Sequence, residues 1–172
     1  MERKQVSPNH QLTKTLAILS NPGLLLASTK PSGEANAMVI GWGAFGTIWR
    51  KPIFLVMVRP SRYTYEFIEA SRTFTVNVPT PEMREWVTVC GTKSGREVNK
   101  FGAYKIQTLP AQTIDGITID ACPMVYECRV VYHHDIVPAH LDAALEASCY
   151  GGSNYHRLYY GEIVGAFAAD SY

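Results

Sequence analysis

The sequence has 172 residues, of which 47% are hydrophobic and 18% are charged, a composition typical of one soluble globular domain and unlike that of a disordered chain. Its 16 basic and 15 acidic residues give a formal net charge of +1, so the chain lacks the overall positive charge of proteins that bind nucleic acids or anionic membranes. The longest apolar run, Ile53 to Val58, is far shorter than the roughly 20 residues of a membrane span, and the polar first residues do not resemble a signal peptide. We therefore expect a cytoplasmic protein with no nucleic-acid or membrane partner.

Strands dominate the predicted secondary structure. In chain order they are Leu24–Thr29, Asn36–Trp42, Ile53–Val58, Phe74–Val78, Tyr126–Tyr132 and Leu158–Phe167. The third strand is apolar throughout, which predicts burial on both faces, whereas the alternation in the fourth predicts a half-buried strand. Gly161 and Gly165 in the last strand indicate bulges or close backbone contacts.

The predicted helices are fewer and shorter. They are Tyr65–Ser71 with Thr64 as N-cap, Pro81 to about Val89 with Thr80 as N-cap, a short helix toward Phe101 opened by a Ser94–Glu97 capping box, and Ala139–Cys149. Successive strands in the first third of the chain are too close for parallel crossovers, which need about a dozen residues or more. The sequence therefore predicts a mainly β fold with peripheral helices, largely antiparallel, as a Greek-key or meander barrel.

Residues 41–46 match the G-x-G-x-x-G pattern of dinucleotide-binding folds, but their context excludes that fold. The pattern needs a helix after its last glycine and an acid at the end of the next strand. Only a few residues, Pro52 among them, separate Gly46 from the strand at Ile53, and Arg59 ends that strand. We expect these glycines to let the backbone pass close to a flat ligand or to another strand.

Two short basic clusters predict a site for a small anion such as phosphate. In the first, Arg59 and Arg62 flank a turn before a predicted helix, and in the second, Ser94-Gly-Arg96 precedes a helix that carries Lys100 one turn on. Helix N-termini present free N–H groups and a partial positive charge, and arginine adds planar, charge-assisted donors. The alternative is that these residues are solvated surface charges.

Histidines and cysteines give no metal signature. His133 and His134 are adjacent on a predicted strand and so point to opposite faces, which makes a shared metal difficult. The four cysteines form no Cys-x-x-Cys pair, so we expect reduced thiols. His156 lies in a polar loop before the last strand and is either surface or beside a ligand.

Several motifs occur in one order along the chain. They are Asn-Ala-Met-x-x-Gly-Trp at 36–42, Lys-Pro-x-Phe-Leu-Val-Met-Val at 51–58, Arg-x-x-Arg-Tyr-Thr-x-x-x-Ile at 59–68, Phe-Thr-Val-Asn-Val-Pro at 74–79, Ser-Gly-Arg-x-x-x-Lys-Phe at 94–101, Glu-Cys at 127–128 and Gly-Glu-Ile-Val at 161–164. Together they resemble the flavin reductase-like family of FMN-binding split barrels, and within it the flavoredoxins.

This resemblance implies one domain over residues 1–172, with a core of about 20–167, built as an FMN-binding split β-barrel. It also implies a homodimer with one non-covalent FMN per subunit near the dimer interface. NADH or NADPH would reduce the flavin, or a redox partner protein would exchange electrons with it. Since FMN performs the electron transfer, we expect no essential acid–base residue.

The family pattern also implies which residues contact FMN. In the family, the Asn-x-Met strand and the loop after it lie along the isoalloxazine, the arginine turn holds the phosphate and ribityl chain, and the Ser-Gly-Arg-x-x-x-Lys segment adds contacts. On this sequence the implied contacts are Asn36, Ala37, Met38, Val39, Thr47, Trp49, Arg59, Ser61, Arg62, Tyr63, Thr64, Ser94 and Lys100.

The sequence departs from the family pattern before the last strand. Family members often carry Gly-Asp-His-x-x-Phe/Tyr-x-Gly-Glu there, and the histidine can approach the flavin or nicotinamide. Here His156 and the Gly161-Glu162 pair are present, the preceding Gly-Asp is replaced, and one residue is added between them. The segment 138–152 also looks longer than usual. His156 is thus the candidate catalytic contact, and its role stays open.

Three functions remain open at this point. The first is an NAD(P)H-dependent FMN oxidoreductase. The second is an electron-transfer flavoprotein that a protein partner reduces and that has little NAD(P)H activity. The third is a non-redox split barrel that binds another ligand, such as haem or a different flavin.

Overall fold

The computed structural model describes residues 1–172, and its main element is one antiparallel sheet. Its strands and those of a small second sheet are β1 (Lys4–Gln5), β2 (Leu24–Thr29), β3 (Ala35–Ile40), β4 (Gly43–Ile48), β5 (Lys51–Val58), β6 (Thr73–Val78), β7 (Thr108–Pro110), β8 (Ile117–Ile119), β9 (Met124–Asp135) and β10 (Arg157–Ala168). The helices are α1 (Leu12–Ser20), α2 (Tyr63–Ser71), α3 (Arg84–Thr92), α4 (Lys100–Ala103) and α5 (Ala143–Cys149), with 3-10 turns at Pro81–Met83 and Pro138–His140.

The sheet order departs from the chain order. Eight strands run in the order β3-β2-β6-β9-β10-β5-β4, with β1 on β10, while β7 and β8 form a separate hairpin. Every pairing is antiparallel. The long connections that bring β9 to β6 and β10 to β5 are those of a Greek-key topology. The predicted fold class, mainly β with peripheral helices, is confirmed.

The sheet has a core on each of its two faces, because successive strand residues point to opposite sides. On β2, Leu24 and Leu26 belong to the larger cluster, with Phe54 and Tyr126 at its centre. Leu25 of the same strand belongs to a second cluster under α3 and the β7–β8 hairpin. The continuous apolar run of β2 follows from this double burial.

Two predictions of strand burial are wrong. β6 is buried on both faces, because the β7–β8 hairpin covers its polar face: Thr75 Oγ1 donates to the Ile117 carbonyl at 2.7 Å, and Asn77 Oδ1 accepts from the Ile119 N–H at 2.8 Å. From Ile53 to Val58, β5 is fully buried on one face, whereas on the other Ile53 is buried but Leu55 and Met57 remain partly exposed.

The glycine predictions are confirmed for Gly161, Gly165 and Gly43, but not for Gly46, whose added Cβ would meet no heavy atom within 4 Å. The pairing of β10 with β9 shifts register at Gly161 and before Gly165. A Cβ on Gly161 would lie 2.3 Å from Phe74 Cζ, so only glycine lets β10 pass that ring. Within the 41–46 pattern, no helix follows; Gly43 lies in β4, where a Cβ would meet the Leu55 carbonyl oxygen at 2.6 Å.

Helix starts are less well predicted. Thr64 does not cap α2, because the helix begins at Tyr63, one residue before it. The Thr64 side chain is buried and accepts a hydrogen bond from Asn36 instead. Ser94 opens a turn and not a helix, and the helix begins at Lys100 with Asn99 as its N-cap. The predicted helix at 139–149 is a 3-10 turn followed by α5.

No helix of the chain is both long and apolar enough to cross a membrane. All four cysteines are free thiols, and three of them, Cys90, Cys122 and Cys128, are buried.

Candidate functional site

Two adjoining cavities form one groove at the edge of the sheet. The polar chamber, of about 240 Å³, is lined by residues of β3, the start of α2, the end of α3 and the segment that follows it. The shelf, of about 220 Å³, is lined by Met38, Val39, Ile40, Gly41, Trp42, Met57, Arg59, Arg62 and His156. Met38, Val39 and Arg62 line both cavities, so the chamber opens directly onto the shelf.

The walls of the polar chamber are held together by buried polar contacts. Asn36, on β3, is buried and donates from Nδ2 to Thr64 Oγ1 at 2.8 Å, which fixes the first turn of α2 against the strand. Gly95 packs so tightly on the same asparagine that a Cβ there would lie 2.2 Å from Asn36 Oδ1. The first-turn N–H groups of a helix have no partners within the helix and carry partial positive charge. This end of α2 therefore favours an anion.

Three cations, Arg62, Lys93 and Lys100, line the polar chamber without an ion pair within the protein, and Glu97 is the one carboxylate among the lining residues. The guanidinium of Arg62 makes no hydrogen bond and no ion pair within the protein, and it stands between chamber and shelf. Lys100 is only 3% exposed; its Nζ donates to the carbonyls of Ala37 and Lys93. An ammonium group has three donors, so one remains for a ligand. Burial lowers the pKa of Lys100, although the nearby Cys90 partly opposes that shift.

The side chains that line the shelf include two methionines, Met38 and Met57, and the rings of Trp42 and His156. Trp42 is 45% exposed, and its ring lies 5.1 Å from that of His156. Burial, followed by the charges of Arg59 and Arg62, lowers the pKa of His156 to about 4. His156 is therefore neutral near pH 7. The shelf offers apolar area for a planar group and no titrating acid or base.

Arg59 does not face the groove as a free cation. Its guanidinium donates to the carbonyl of Cys149 at 2.7 Å and to that of Asn154 at 3.3 Å, and it lies 5.1 Å from the centre of the Tyr150 ring. Ser61 is similarly engaged, because its Oγ accepts from Asn154 Nδ2 at 2.9 Å. Both residues hold the loop before β10 against the arginine turn.

The structure brings most of the predicted site residues together. Those that line the groove are Asn36, Met38, Val39, Arg59, Ser61, Arg62, Tyr63, Thr64, Ser94, Lys100 and His156. Ala37 contributes only its carbonyl, since its side chain is in the core under α3. The Tyr63 hydroxyl points to Glu34, to which it donates at 2.7 Å.

Thr47 and Trp49 lie outside the groove. Thr47 pairs with Pro52 near the turn of the β4–β5 hairpin, whereas Gly43, next to the shelf, pairs with Val56 at the opposite end. Thr47 lies four residues further along the strand than Gly43, a distance of roughly 13 Å. Trp49 is 57% exposed and contacts the rings of Tyr132 and Tyr160. Neither residue lines the groove of its own chain.

Several groove residues escaped the sequence reasoning. Trp42 and Met57 form much of the shelf, and Gly91 and Lys93 at the end of α3 line the chamber. Lys93 directly precedes Ser94-Gly-Arg96 and so extends the second basic cluster, which is a usable signal. Tyr150 does not line the groove, but its hydroxyl lies 2.9 Å from His156 Nδ1. No sequence signal marks this residue, because its contact depends on the path of the loop.

Comparison with known proteins gives a consistent result. The model of the flavin reductase-like domain matches residues 19–171. An uncharacterised protein of Archaeoglobus fulgidus is 34% identical over 76 residues, which are 44% of this chain and 43% of that protein. The chain thus matches less than half the length of this curated relative.

Solved structures share the fold. The flavoredoxin of Desulfovibrio vulgaris superposes with a TM-score of 0.69 at 21% identity, covering 87% of this chain and 70% of that one. The flavoredoxin of Methanosarcina acetivorans gives a TM-score of 0.68 at 26% identity with the same coverage. The split-barrel architecture expected from the sequence is confirmed.

Proposed function

The chain belongs to the flavin reductase-like domain family, and from this premise we propose that it binds FMN non-covalently in the groove and passes electrons from NADH or NADPH to an acceptor. The observation that carries the proposal is that one groove joins a chamber with a net excess of cations to a shelf that includes Met38, Met57 and the Trp42 ring. FMN has the same division, with an anionic phosphate on a polar ribityl chain at one end and a flat ring at the other. Residues 1–172 are proposed to form one such domain.

The residues of the chamber suit the phosphate and ribityl chain. Arg62 is an unpaired cation at the exposed mouth, Lys100 offers one free donor from a buried position, and the start of α2 adds backbone N–H groups. Charge-assisted bonds of this kind each contribute roughly 1.5–3 kcal/mol. Ser94, whose Oγ accepts from the Arg96 N–H at 3.2 Å, keeps its own hydroxyl proton for a ligand.

The shelf suits a planar ring. Met38 and Met57 provide polarizable surface that adapts to a flat ligand, and Trp42 and His156 limit the entry of water from the loop side. Bound FMN itself supplies the hydride and electron transfer. The FMN-binding domain of a flavin reductase-like enzyme from Shewanella baltica, which superposes with a TM-score of 0.68 at 21% identity, supports FMN as the ligand.

The decisive experiment is an absorption spectrum of the purified protein with added FMN, followed by anaerobic addition of NADH and then NADPH. Bound flavin that bleaches with one nucleotide supports the proposal and identifies the donor. Bound flavin that stays oxidised with both indicates an electron carrier that a protein partner reduces. A protein that retains no FMN contradicts the proposal and favours a non-redox ligand.

Charge removal tests the position of the phosphate. We expect Arg62→Ala and Lys100→Met each to weaken FMN binding by about tenfold to a hundredfold, because each removes a charge-assisted bond. Arg84→Ala is the matched control, since this arginine is exposed at the far end of α3. FMN titration by fluorescence quenching measures all three. Unchanged affinity in both groove variants would place the phosphate elsewhere.

We also propose a homodimer. The outer face of the sheet carries a cluster of exposed rings: Trp49 lies 5.9 Å from Tyr132 and 6.0 Å from Tyr160, and the latter two are 5.4 Å apart. A second copy that covered this cluster would remove its apolar surface from water. The predicted contacts of Thr47 and Trp49 with FMN require such a copy. Light scattering at micromolar concentration tests the dimer, and a monomeric mass contradicts it.

A further inference from the structure

The loop that borders the shelf, residues 149–156, is fixed at several points. Glu146 Oε1 accepts from the Gly152 N–H at 2.7 Å and from the Tyr155 hydroxyl at 2.9 Å, which closes the loop on α5. Arg59 holds the carbonyls of Cys149 and Asn154 from the opposite side. The loop is therefore ordered before any ligand arrives, and the side chains that it presents to the shelf have fixed positions.

Within this loop, Tyr150 and His156 form a pair. The Tyr150 hydroxyl lies 2.9 Å from His156 Nδ1, and this is the only hydrogen bond of either side chain within the protein. The ring of Tyr150 is held on one side by Tyr155, stacked at 4.9 Å between ring centres, and by the Arg59 guanidinium on its face. His156 Nε2 has no partner within the protein, while His156 lines the shelf.

The charges around the pair decide its protonation. The groups that face His156 are the cations Arg59 and Arg62 and the phenol of Tyr150. With no carboxylate to stabilise an imidazolium, the ring stays neutral at pH 7, and one of its nitrogens carries the single proton. Burial raises the pKa of Tyr150, so its hydroxyl keeps a proton to donate.

We propose that Tyr150 is a positioning residue: its hydroxyl donates to His156 Nδ1 and thereby fixes His156 as the Nε2–H tautomer, which offers one hydrogen-bond donor to a second substrate on the shelf. The substrate group it suits is an uncharged acceptor oxygen, such as that of a carboxamide or a carbonyl. This assignment rests on the proposed function for the identity of the substrate. His156 orients that oxygen and transfers no proton.

The tautomer itself is the first readout, because it does not depend on activity. Long-range ¹H–¹⁵N NMR on histidine-labelled protein distinguishes the protonated from the unprotonated ring nitrogen, and His156→Gln assigns the signals. In the unsubstituted chain we expect an unprotonated Nδ1 and a protonated Nε2. Tyr150→Phe should move the ¹⁵N chemical shifts of both ring nitrogens toward the average values of a tautomer mixture. Tyr104→Phe is the matched control, because it removes a tyrosine hydroxyl outside this loop, from a side chain that packs on the cluster under α3.

Kinetics supply the second readout. Tyr150→Phe should lower kcat for nucleotide oxidation by about fivefold, the effect of one neutral hydrogen bond, with FMN affinity unchanged. The double variant with His156→Gln should be no worse than His156→Gln alone. A proton on Nδ1 in the unsubstituted chain, or an identical spectrum for Tyr150→Phe, overturns the inference. If the NMR result holds but no nucleotide is oxidised, the proposed function fails and the tautomer assignment survives.

Discussion

Gly95 is where two walls of the chamber come closest, and replacing it with alanine tests the geometry of the site. The added Cβ would lie 2.2 Å from Asn36 Oδ1 and 2.8 Å from Tyr63 Cδ1. Neither neighbour can move freely, since Asn36 is buried on β3 and Tyr63 opens α2. The turn at 94–96 must therefore shift away from β3, or Asn36 must rotate.

The expected cost has two parts. Overpacking of this kind costs about 1–3 kcal/mol. Rotation of Asn36 also breaks its hydrogen bond to Thr64, which adds about 1 kcal/mol. We therefore expect Gly95→Ala to lower the free energy of unfolding by roughly 2–4 kcal/mol. FMN affinity should fall as well, because Ser94 moves with the turn.

Urea unfolding and FMN titration measure the two effects. Gly46→Ala is the matched control, because no heavy atom lies within 4 Å of its added Cβ and its φ is ordinary. In an Asn36→Ala background, Gly95→Ala should cost less, since the closest obstructing atom is gone. A Gly95→Ala protein within about 0.5 kcal/mol of the unsubstituted chain, and with unchanged FMN affinity, would refute the close packing of these walls.

Three further outcomes are expected. Glu127→Gln should lower the free energy of unfolding by about 2 kcal/mol, because the buried carboxylate of Glu127 accepts from the backbone N–H and the hydroxyl of Thr113; thermal unfolding measures this. As the pH falls from about 6.5 to 4, the unfolded chain takes up a proton that His156 in the folded chain does not, since its folded pKa is about 4. The free energy of unfolding should therefore decline over this range. Urea unfolding at several pH values measures the decline, and His156→Gln should remove the part of it that His156 causes. The control variant His140→Gln, at an exposed histidine, should leave the decline unchanged. Arg59→Gln should release the loop before β10, so that limited proteolysis cuts it faster; an unchanged cleavage rate would contradict the anchoring role.

Structure is predicted most accurately from the sequence where a single local rule decides it. β2 has the predicted bounds, because the apolar run Leu24 to Ala27 is buried on both faces and the β-branched Thr29 ends the strand. The clustering of Arg62 and Lys100 in the predicted anion site agrees with the structure to the extent that both residues line one chamber. Register shifts at Gly161 and Gly165 follow from the cost of glycine inside a strand.

Prediction fails where distant segments decide the outcome. The polar face of β6 looks solvent-exposed until the β7–β8 hairpin covers it and bonds to Thr75 and Asn77. β4 is missed because its glycines weaken the strand pattern, although pairing with β5 stabilises it. Thr64 has the residue type of a cap, but the nearby Asn36 competes for its hydroxyl. In each case a tertiary contact overrides a local preference.

The place of β10 in the sheet has a consequence for how the protein is made. β10 is synthesised after the other nine strands of this fold, yet it pairs with both β9 and β5 near the middle of the sheet. At a synthesis rate of about 5–20 residues per second, β5 waits roughly 5–20 s for its partner. During that time only β4 protects one edge of β5, and the other edge is an unpaired strand. Chains stopped before residue 157 should therefore need chaperones, because β9 and β5 cannot be joined in one sheet until β10 lies between them.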